Sequence, residues 1–236
     1  MLKELFTQKR LISEESIQRN LSRRKFLGYA GAASGLIIAV SSCNKEDLPG
    51  TTDDEEGVNL GSGDVGILNY AYALEQLEAA FYTQVIMSQY SGISAMETAL
   101  ITDVRDHEIA HREFFKTALA AGAIGELEFD FSTINFGSRD SVLATAKAFE
   151  DLGVSAYNGA GRLLESTDYL VIAGKIVSVE ARHAAYFRDL IQFGSFADAD
   201  VVNDMGLDVT RKPSEVLPIA ATYIKTKINA DNLPTY

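Results

Sequence analysis

Glu108-Ile109-Ala110-His111 and, 72 residues later, Glu180-Ala181-Arg182-His183 repeat one spacing, a glutamate three residues before a histidine. Residues three apart on a helix project from one face, about 60° apart and one turn along. Each pair can therefore offer an oxygen and a nitrogen to one inward point. The chain has only three histidines (His107, His111, His183), and residues 44–236 hold 14 glutamates among 193 positions. A given histidine then has a glutamate three before it with a chance of roughly 7%, and two such hits come to roughly half a per cent. Upstream of each pair stands a second element: Glu75 with Tyr82 seven residues on, and Glu150 with Tyr157 seven residues on. Seven residues is two turns, so these pairs also share a face.

From Asp64 onward apolar residues recur at three- and four-residue spacing, the signature of amphipathic helices. The pattern predicts helix 1 over about 65–90, helix 2 over 95–121, helix 3 over 140–165 and helix 4 over 168–193. Pro213-Ser214-Glu215 starts a short fifth helix through Ile228, and the prolines (49, 213, 218, 233) leave the four long helices unbroken. Short links make helices 1–2 and 3–4 antiparallel pairs. The connection from Gly122 to Ser138 has 17 residues and can span up to about 55 Å, against about 40 Å for a 27-residue helix. The expected fold is all-α: a four-helix bundle with one long crossover and a short C-terminal helix.

The faces that carry these residues are apolar. Leu68, Ala71 and Ala79 flank Glu75; Ile101, Val104 and Phe115 flank Glu108. Leu143, Ala146 and Val154 flank Glu150, and Ala173, Ile176 and Phe187 flank Glu180. Four carboxylates in one core would repel and lose hydration, at several kcal/mol each. Either protons neutralise them or cations sit among them. Four carboxylates and two imidazoles suit two divalent ions of the iron or manganese kind. Glu78 also has apolar neighbours (Ala71, Leu74, Phe81, Val85) and is an alternative to Glu75, whereas the seven-residue tyrosine spacing favours Glu75. Asp103, Asp106 and Asp189 are candidates for orienting the histidines.

One glutamate from each of two helices plus Glu-x-x-His from each of two others resembles the ferritin-like superfamily over about residues 64–193. Leu68-Asn69-Tyr70-Ala71 through Leu77-Glu78-Ala79-Ala80-Phe81-Tyr82, Phe149–Tyr157 and Pro213-Ser214-Glu215-Val216-Leu217 are similar to the desiccation-related, ferritin-like domain proteins. The resemblance implies that Glu75, Glu108, His111, Glu150, Glu180 and His183 bind the metals, with Glu108 and Glu180 bridging and Tyr82 near the centre. It implies redox chemistry on peroxide or dioxygen, of oxidase, ferroxidase-like or catalase-like outcome. The alternative is a non-catalytic stress-protection bundle whose metal only stabilises the fold. A storage cage fits poorly with a tethered chain.

His107-Glu108-Ile109-Ala110-His111 also spells H-E-x-x-H, a zinc protease helix in which His107 and His111 bind zinc and Glu108 is the base. That reading leaves the second Glu-x-x-His and both Glu…Tyr pairs unexplained. His107 is otherwise a flanking residue, or one that supports a ligand, and Tyr157 is the counterpart of Tyr82.

The first 43 residues read as an address. Arg23-Arg24-Lys25 precedes a 13-residue apolar stretch, too short to span a membrane. The order of charge, apolar core and small residues makes a signal peptide, and Arg23 and Arg24 resemble a twin-arginine export signal. Val40-Ser41-Ser42-Cys43 resembles a lipobox, with Cys43 the lipidated new N-terminus, and Asn44-Lys45-Glu46-Asp47 resembles an acidic surface-export tag. Such a protein is periplasmic or at the cell surface, touching membrane only through its anchor. Residues 44–63 read as an acidic tether, 64–193 as the bundle and 194–236 as a C-terminal extension. Gly61-Ser62-Gly63-Asp64-Val65-Gly66 matches G-x-G-x-x-G but follows an acidic run rather than a strand, so it reads as linker.

The net charge is −12 overall. Residues 1–43 hold 7 basic and 3 acidic side chains, leaving 14 basic and 30 acidic downstream, a balance of −16. That argues against nucleic acid, which needs clustered Lys and Arg. One cysteine excludes an intramolecular disulfide framework and any Cys-rich metal site. No oligomeric state follows from the sequence.

Overall fold

A serine stands before each of the four long helices in the computed structural model, which describes residues 52–53 and 57–236. The twin-arginine signal, Cys43 and residues 44–47 lie outside the described residues. Helix α1 runs Gly63–Met87, α2 Ala95–Leu119, α3 Arg139–Ala160 and α4 Thr167–Ile191. The hydroxyls of Ser94, Ser138 and Ser166 accept backbone N–H groups three residues on, satisfying donors that a helix start leaves free. At α2 the cap is reciprocal, because Glu97 reaches back to the Ser94 N–H. None of the described helices is long and apolar enough to cross a membrane.

Helices α1 and α2 pack against each other, as do α3 and α4, and the two pairs meet through α1 and α3. Burial is uneven. In α1, 17 of 25 residues are buried and in α3, 13 of 22, whereas α2 buries seven and α4 six. Helix α1 is covered on its outer side by the crossover between α2 and α3. Two amides on α1, seven residues apart and so on one face, tie that crossover down. Asn69 Nδ2 donates to the Leu60 and Gly122 carbonyls while its Oδ1 accepts the Ile124 N–H. Gln76 Nε2 donates to the Gly125 carbonyl while its Oε1 accepts the Leu127 N–H. Phe81 then meets Phe131 and Phe136 of the crossover and Phe149 of α3, edge-on or tilted at centroid distances of 5.0–6.1 Å.

Several boundaries differ from the sequence pattern. α1 stops at Met87 rather than Tyr90, and α3 stops at Ala160, followed by a tighter turn over Gly161–Leu163 instead of helix to residue 165. The fifth helix, α5, covers only Pro213–Ala220. Pro218 has no N–H to reach back to the Ser214 carbonyl, and the helix ends two residues later. The chain then pairs in a small sheet ordered β1–β2–β3, with β1 Thr52–Asp53, β2 Gly57–Asn59 and β3 Ile228–Asn229. β1 and β2 are antiparallel; β2 and β3 are parallel, with Val58 opposite Ile228. Residues 57–61, expected as part of the tether, are thus packed: Val58, Leu60 and Gly61 are buried. The G-x-G-x-x-G glycines also serve packing. A Cβ on Gly66 would sit 2.7 Å from the Gly61 carbonyl oxygen.

Candidate metal centre

Each of the four long helices contributes one or two of the expected ligand side chains to the bundle interior, at points flanked by Leu, Ile, Val, Phe and Ala. Glu75, Glu108, Glu150 and Glu180 are all fully buried, and His111 and His183 nearly so. They converge into two overlapping groups, Glu75/Glu108/His111/Glu180 and Glu108/Glu150/Glu180/His183, whose ligand atoms lie within 4.8 Å of one another. Glu108 and Glu180 belong to both.

The close approaches are distinctive. His183 Nδ1 lies 2.9 Å from Glu108 Oε1 and 3.3 Å from Glu150 Oε2. His111 Nδ1 lies 2.9 Å from Glu180 Oε1, 3.3 Å from Glu108 Oε2 and 3.4 Å from Glu75 Oε2. His111 Nδ1 is hydrogen-bonded to Glu108 Oε2, yet among the described residues Glu75 Oε2, Glu108 Oε1, Glu150 Oε2, both Glu180 oxygens and His183 Nδ1 make no aligned hydrogen bond. These atoms are near each other because they face common points, not because they pair. Buried polar atoms left this way are costly. A hard or borderline divalent cation, which takes oxygen and imidazole donors, fits the donor set.

The outer carboxylates are each held by the opposite half of the bundle. Tyr82 on α1 donates to Glu150 Oε1 on α3 at 2.5 Å, and Tyr157 on α3 donates to Glu75 Oε1 on α1. The sequence placed each tyrosine on the face of its own glutamate; the structure exchanges the partners. Each tyrosine occupies one oxygen and leaves Oε2 facing inward. Tyr82 is stacked on Phe187 at 5.7 Å, which fixes its ring. Burial, then the adjacent carboxylate, pushes both phenols well above their ordinary range.

Electrostatics follow from crowding. Burial raises Glu75 to about 7 against the opposing pull of His111, and raises Glu150 against that of His183. Glu180 is raised well above the carboxylate range by burial and by the charges of Glu108 and Glu75. Burial also acts on Glu108, but His111 and His183 flank it and together hold it low. Burial alone would lower both imidazoles; the surrounding carboxylates outweigh it, taking His183 to about 11 and His111 well above its usual value. Imidazolium protons are the local counter-charge when no other cation is there.

Glu78, the alternative to Glu75, is also buried but stands outside both groups. It points toward Gly153 of α3: a Cβ there would be 3.0 Å from Glu78 Oε1 and 3.8 Å from Glu180 Oε2. Burial and the charges of Glu180, Glu150, Glu108 and Glu75 push it well above the usual carboxylate range. His107 shares no ligand group with His111; its Nδ1 lies 2.9 Å from His183 Nε2. The H-E-x-x-H zinc arrangement, which needs both histidines on one ion, is not formed. The aspartates considered as histidine partners are elsewhere. Asp103 is exposed, Asp106 pairs with Arg105, and Asp189 accepts the Gly194 N–H.

Two shallow cavities lie outside the cluster. One is lined by Asp151, Arg188, Phe196 and Asp208 among others, and the other by Gln76, Arg112, Lys116 and Phe129 among others. A buried Arg188 joins Asp151 and Asp200 in the first, clamping the segment after α4 to α3.

Among family models, that of the ferritin-like domain matches residues 63–192, more than half of the chain and the whole four-helix region. No curated protein matches the chain. The chain belongs to the ferritin-like family.

Proposed function

We propose that this ferritin-like protein holds two iron or manganese ions between α1, α2, α3 and α4 and uses them for redox chemistry on peroxide or dioxygen, in stress protection outside the cytoplasm. The observation that carries the reading is the convergence of six buried donors on two points, five of them with an inward atom that is unpaired among the described residues. Glu75, His111 and the shared Glu108 and Glu180 would hold one ion; Glu150, His183 and the same shared pair would hold the other. Such ions supply cycling between divalent and trivalent states. The protein supplies the rest. Anionic carboxylates favour the higher oxidation state, and Tyr82 and Tyr157 orient Glu150 and Glu75. The phenol protons stay on the tyrosines at neutral pH, ready as hydrogen-bond donors. Every one of these six residues is at most 7% exposed, which restricts reactants to very small molecules. Peroxide and dioxygen meet that limit.

The N-terminal pattern supplies the location: a twin-arginine signal at Arg23 and Arg24 and lipidation at Cys43 would deliver a folded protein to a membrane surface. Cys43→Ala should abolish incorporation of labelled fatty acid and release the protein in soluble form.

The test of the centre is elemental analysis of the full-length chain from cells supplied with iron, manganese and zinc together. Two iron or manganese ions per chain, lost in His183→Ala, followed by consumption of peroxide or dioxygen, are expected. One zinc per chain, or no metal in a helical protein, overturns the reading. Two ions without turnover would leave a stabilising role only.

A further inference from the structure

The two metal half-sites are built from a duplicated pattern, Glu…Tyr followed by Glu-x-x-His, but the position before the Glu-x-x-His string breaks the duplication. The residue before Glu108 is His107; the residue before Glu180 is Val179. His107 on α2 reaches across to α4, where its Nδ1 lies 2.9 Å from His183 Nε2 and its ring lies nearly parallel to that of His183, 9° apart at 5.2 Å between centroids. Val179 has no polar side-chain atom and can do nothing comparable for His111. His183 therefore has both ring nitrogens committed, Nδ1 toward Glu108 and Glu150 and Nε2 toward His107.

An imidazole can present a lone pair to a metal at Nδ1 only if its remaining proton sits on Nε2. That proton needs an acceptor, and a partner that supplies one fixes both tautomer and ring orientation. The atom facing Nε2 is His107 Nδ1, which accepts only when the His107 proton is on its own Nε2. The side chain is half-buried, so its Nε2 can be served by solvent. Acidic residues do not take this role here: Asp106 is turned to Arg105 and Asp189 to Gly194.

We propose that His107 is a positioning residue for His183, accepting the Nε2 proton so that Nδ1 faces the ion, and that the Glu108/Glu150/Glu180/His183 half-site consequently binds its ion first and more tightly. The inference rests on the two-ion reading of the cluster. It makes the centre asymmetric although its ligand sets match. It also gives the first histidine of the H-E-x-x-H string a role that is not zinc ligation.

The test is titration of the chelator-treated, full-length chain with Mn(II), read by calorimetry and by the electron paramagnetic resonance of free Mn(II). His107→Phe keeps a flat ring against His183 but has no acceptor; His107→Asn restores an acceptor near the Nδ1 position. Two resolved binding steps are expected for the unaltered chain and for His107→Asn. His107→Phe should weaken the tighter step by 10- to 100-fold and leave the weaker one unchanged. Nitrogen-15 spectra of the zinc-loaded chain should show His183 and His107 both protonated at Nε2. Equal affinities in His107→Phe and the unaltered chain, or a His107 protonated at Nδ1, would overturn this inference while leaving two-ion binding in place. Absence of Mn(II) binding by the unaltered chain would overturn both.

Discussion

Replacing Glu150 with glutamine separates the two demands on the cluster, folding and ion binding, because it should move them in opposite directions. Glu150 is fully buried; Oε1 accepts from Tyr82, while Oε2 is unpaired 3.3 Å from His183 Nδ1. Glutamine has the same shape. Its oxygen can keep the Tyr82 hydrogen bond, and its amide can donate to Nδ1 of a neutral His183. In the metal-free chain the substitution removes an acid whose ionisation burial opposes. It should leave stability unchanged or raise it by about 1–2 kcal/mol. At about 2–4 °C per kcal/mol for a domain of this size, that is up to about 8 °C. With metal the order should reverse. An ion at a hundredfold over its Kd stabilises the native state by about 2.7 kcal/mol, or about 5–11 °C, and the variant forfeits it for one half-site. Thermal unfolding followed by circular dichroism, with chelator and then with excess Mn(II), reads both halves. If Glu150→Gln loses more than about 2 kcal/mol in chelator and both chains gain equally with Mn(II), Glu150 is an acceptor for Tyr82 and nothing more.

The same core makes the metal-free protein acid-loving. Glu75 (about 7 against 4.5), Glu78, Glu150 and Glu180 are raised, and so are His111 and His183 (about 11 against 6.5); only Glu108 among these groups, and His107 beside them, are lowered. The native chain thus binds more protons than the unfolded one, so stability falls as pH rises, from 4.5 to about 7 through Glu75 and from 6.5 upward through His183. Urea midpoints of the chelated protein should be higher at pH 5 than at pH 8; equality would refute the crowding argument. Tyr82→Phe and Tyr157→Phe should each cost about 1.5–3 kcal/mol in urea unfolding of the chelated chain. Tyr70→Phe, at a buried hydroxyl with no partner among the described residues, should cost nothing. Gly159→Ala places a Cβ 1.7 Å from the Arg211 carbonyl oxygen, a backbone atom that cannot swing away. It should destabilise by about 1–3 kcal/mol and open the segment before α5 to protease.

The buried glutamate–histidine cluster was legible because its residues are rare, widely spaced and regular. Two Glu-x-x-His strings among three histidines name α2 and α4, and the tyrosine offset selects Glu75 over Glu78 for the inward position. The helices were legible for the usual reason, that apolar faces repeat at the helical period. What the sequence hid depends on contacts between distant segments. The strand Gly57–Asn59 sits in an acidic, glycine-rich stretch with no alternation of its own; only Ile228 and Asn229, some 170 residues away, give it a partner. The exchange of tyrosines between halves was hidden as well, since seven-residue spacing places a side chain on a face without saying which helix lies opposite.

Duplication explains why reading one half informs the other, and its exceptions show where that inference fails. Glu75 and Glu150, Tyr82 and Tyr157, and the two Glu-x-x-His strings correspond position for position. Glu78 corresponds to Gly153, and His107 to Val179. Neither mismatch is independent of the packing around it. Gly153 leaves the room that the Glu78 carboxyl occupies, since even a methyl there would come within 3.0 Å of Glu78 Oε1. His107 lies on α2, whose buried residues number seven against 17 on α1, so a polar ring can bridge to α4 with one edge toward water. The deeply covered helices α1 and α3 hold the tyrosines; the thinly covered α2 and α4 hold the histidines. The phenols and the two inward imidazoles are nevertheless buried to a similar depth, Tyr82 at 1% and Tyr157 at 7% exposed against 5% for His183 and 7% for His111, so it is His107, beside His183, that carries the polar edge toward water.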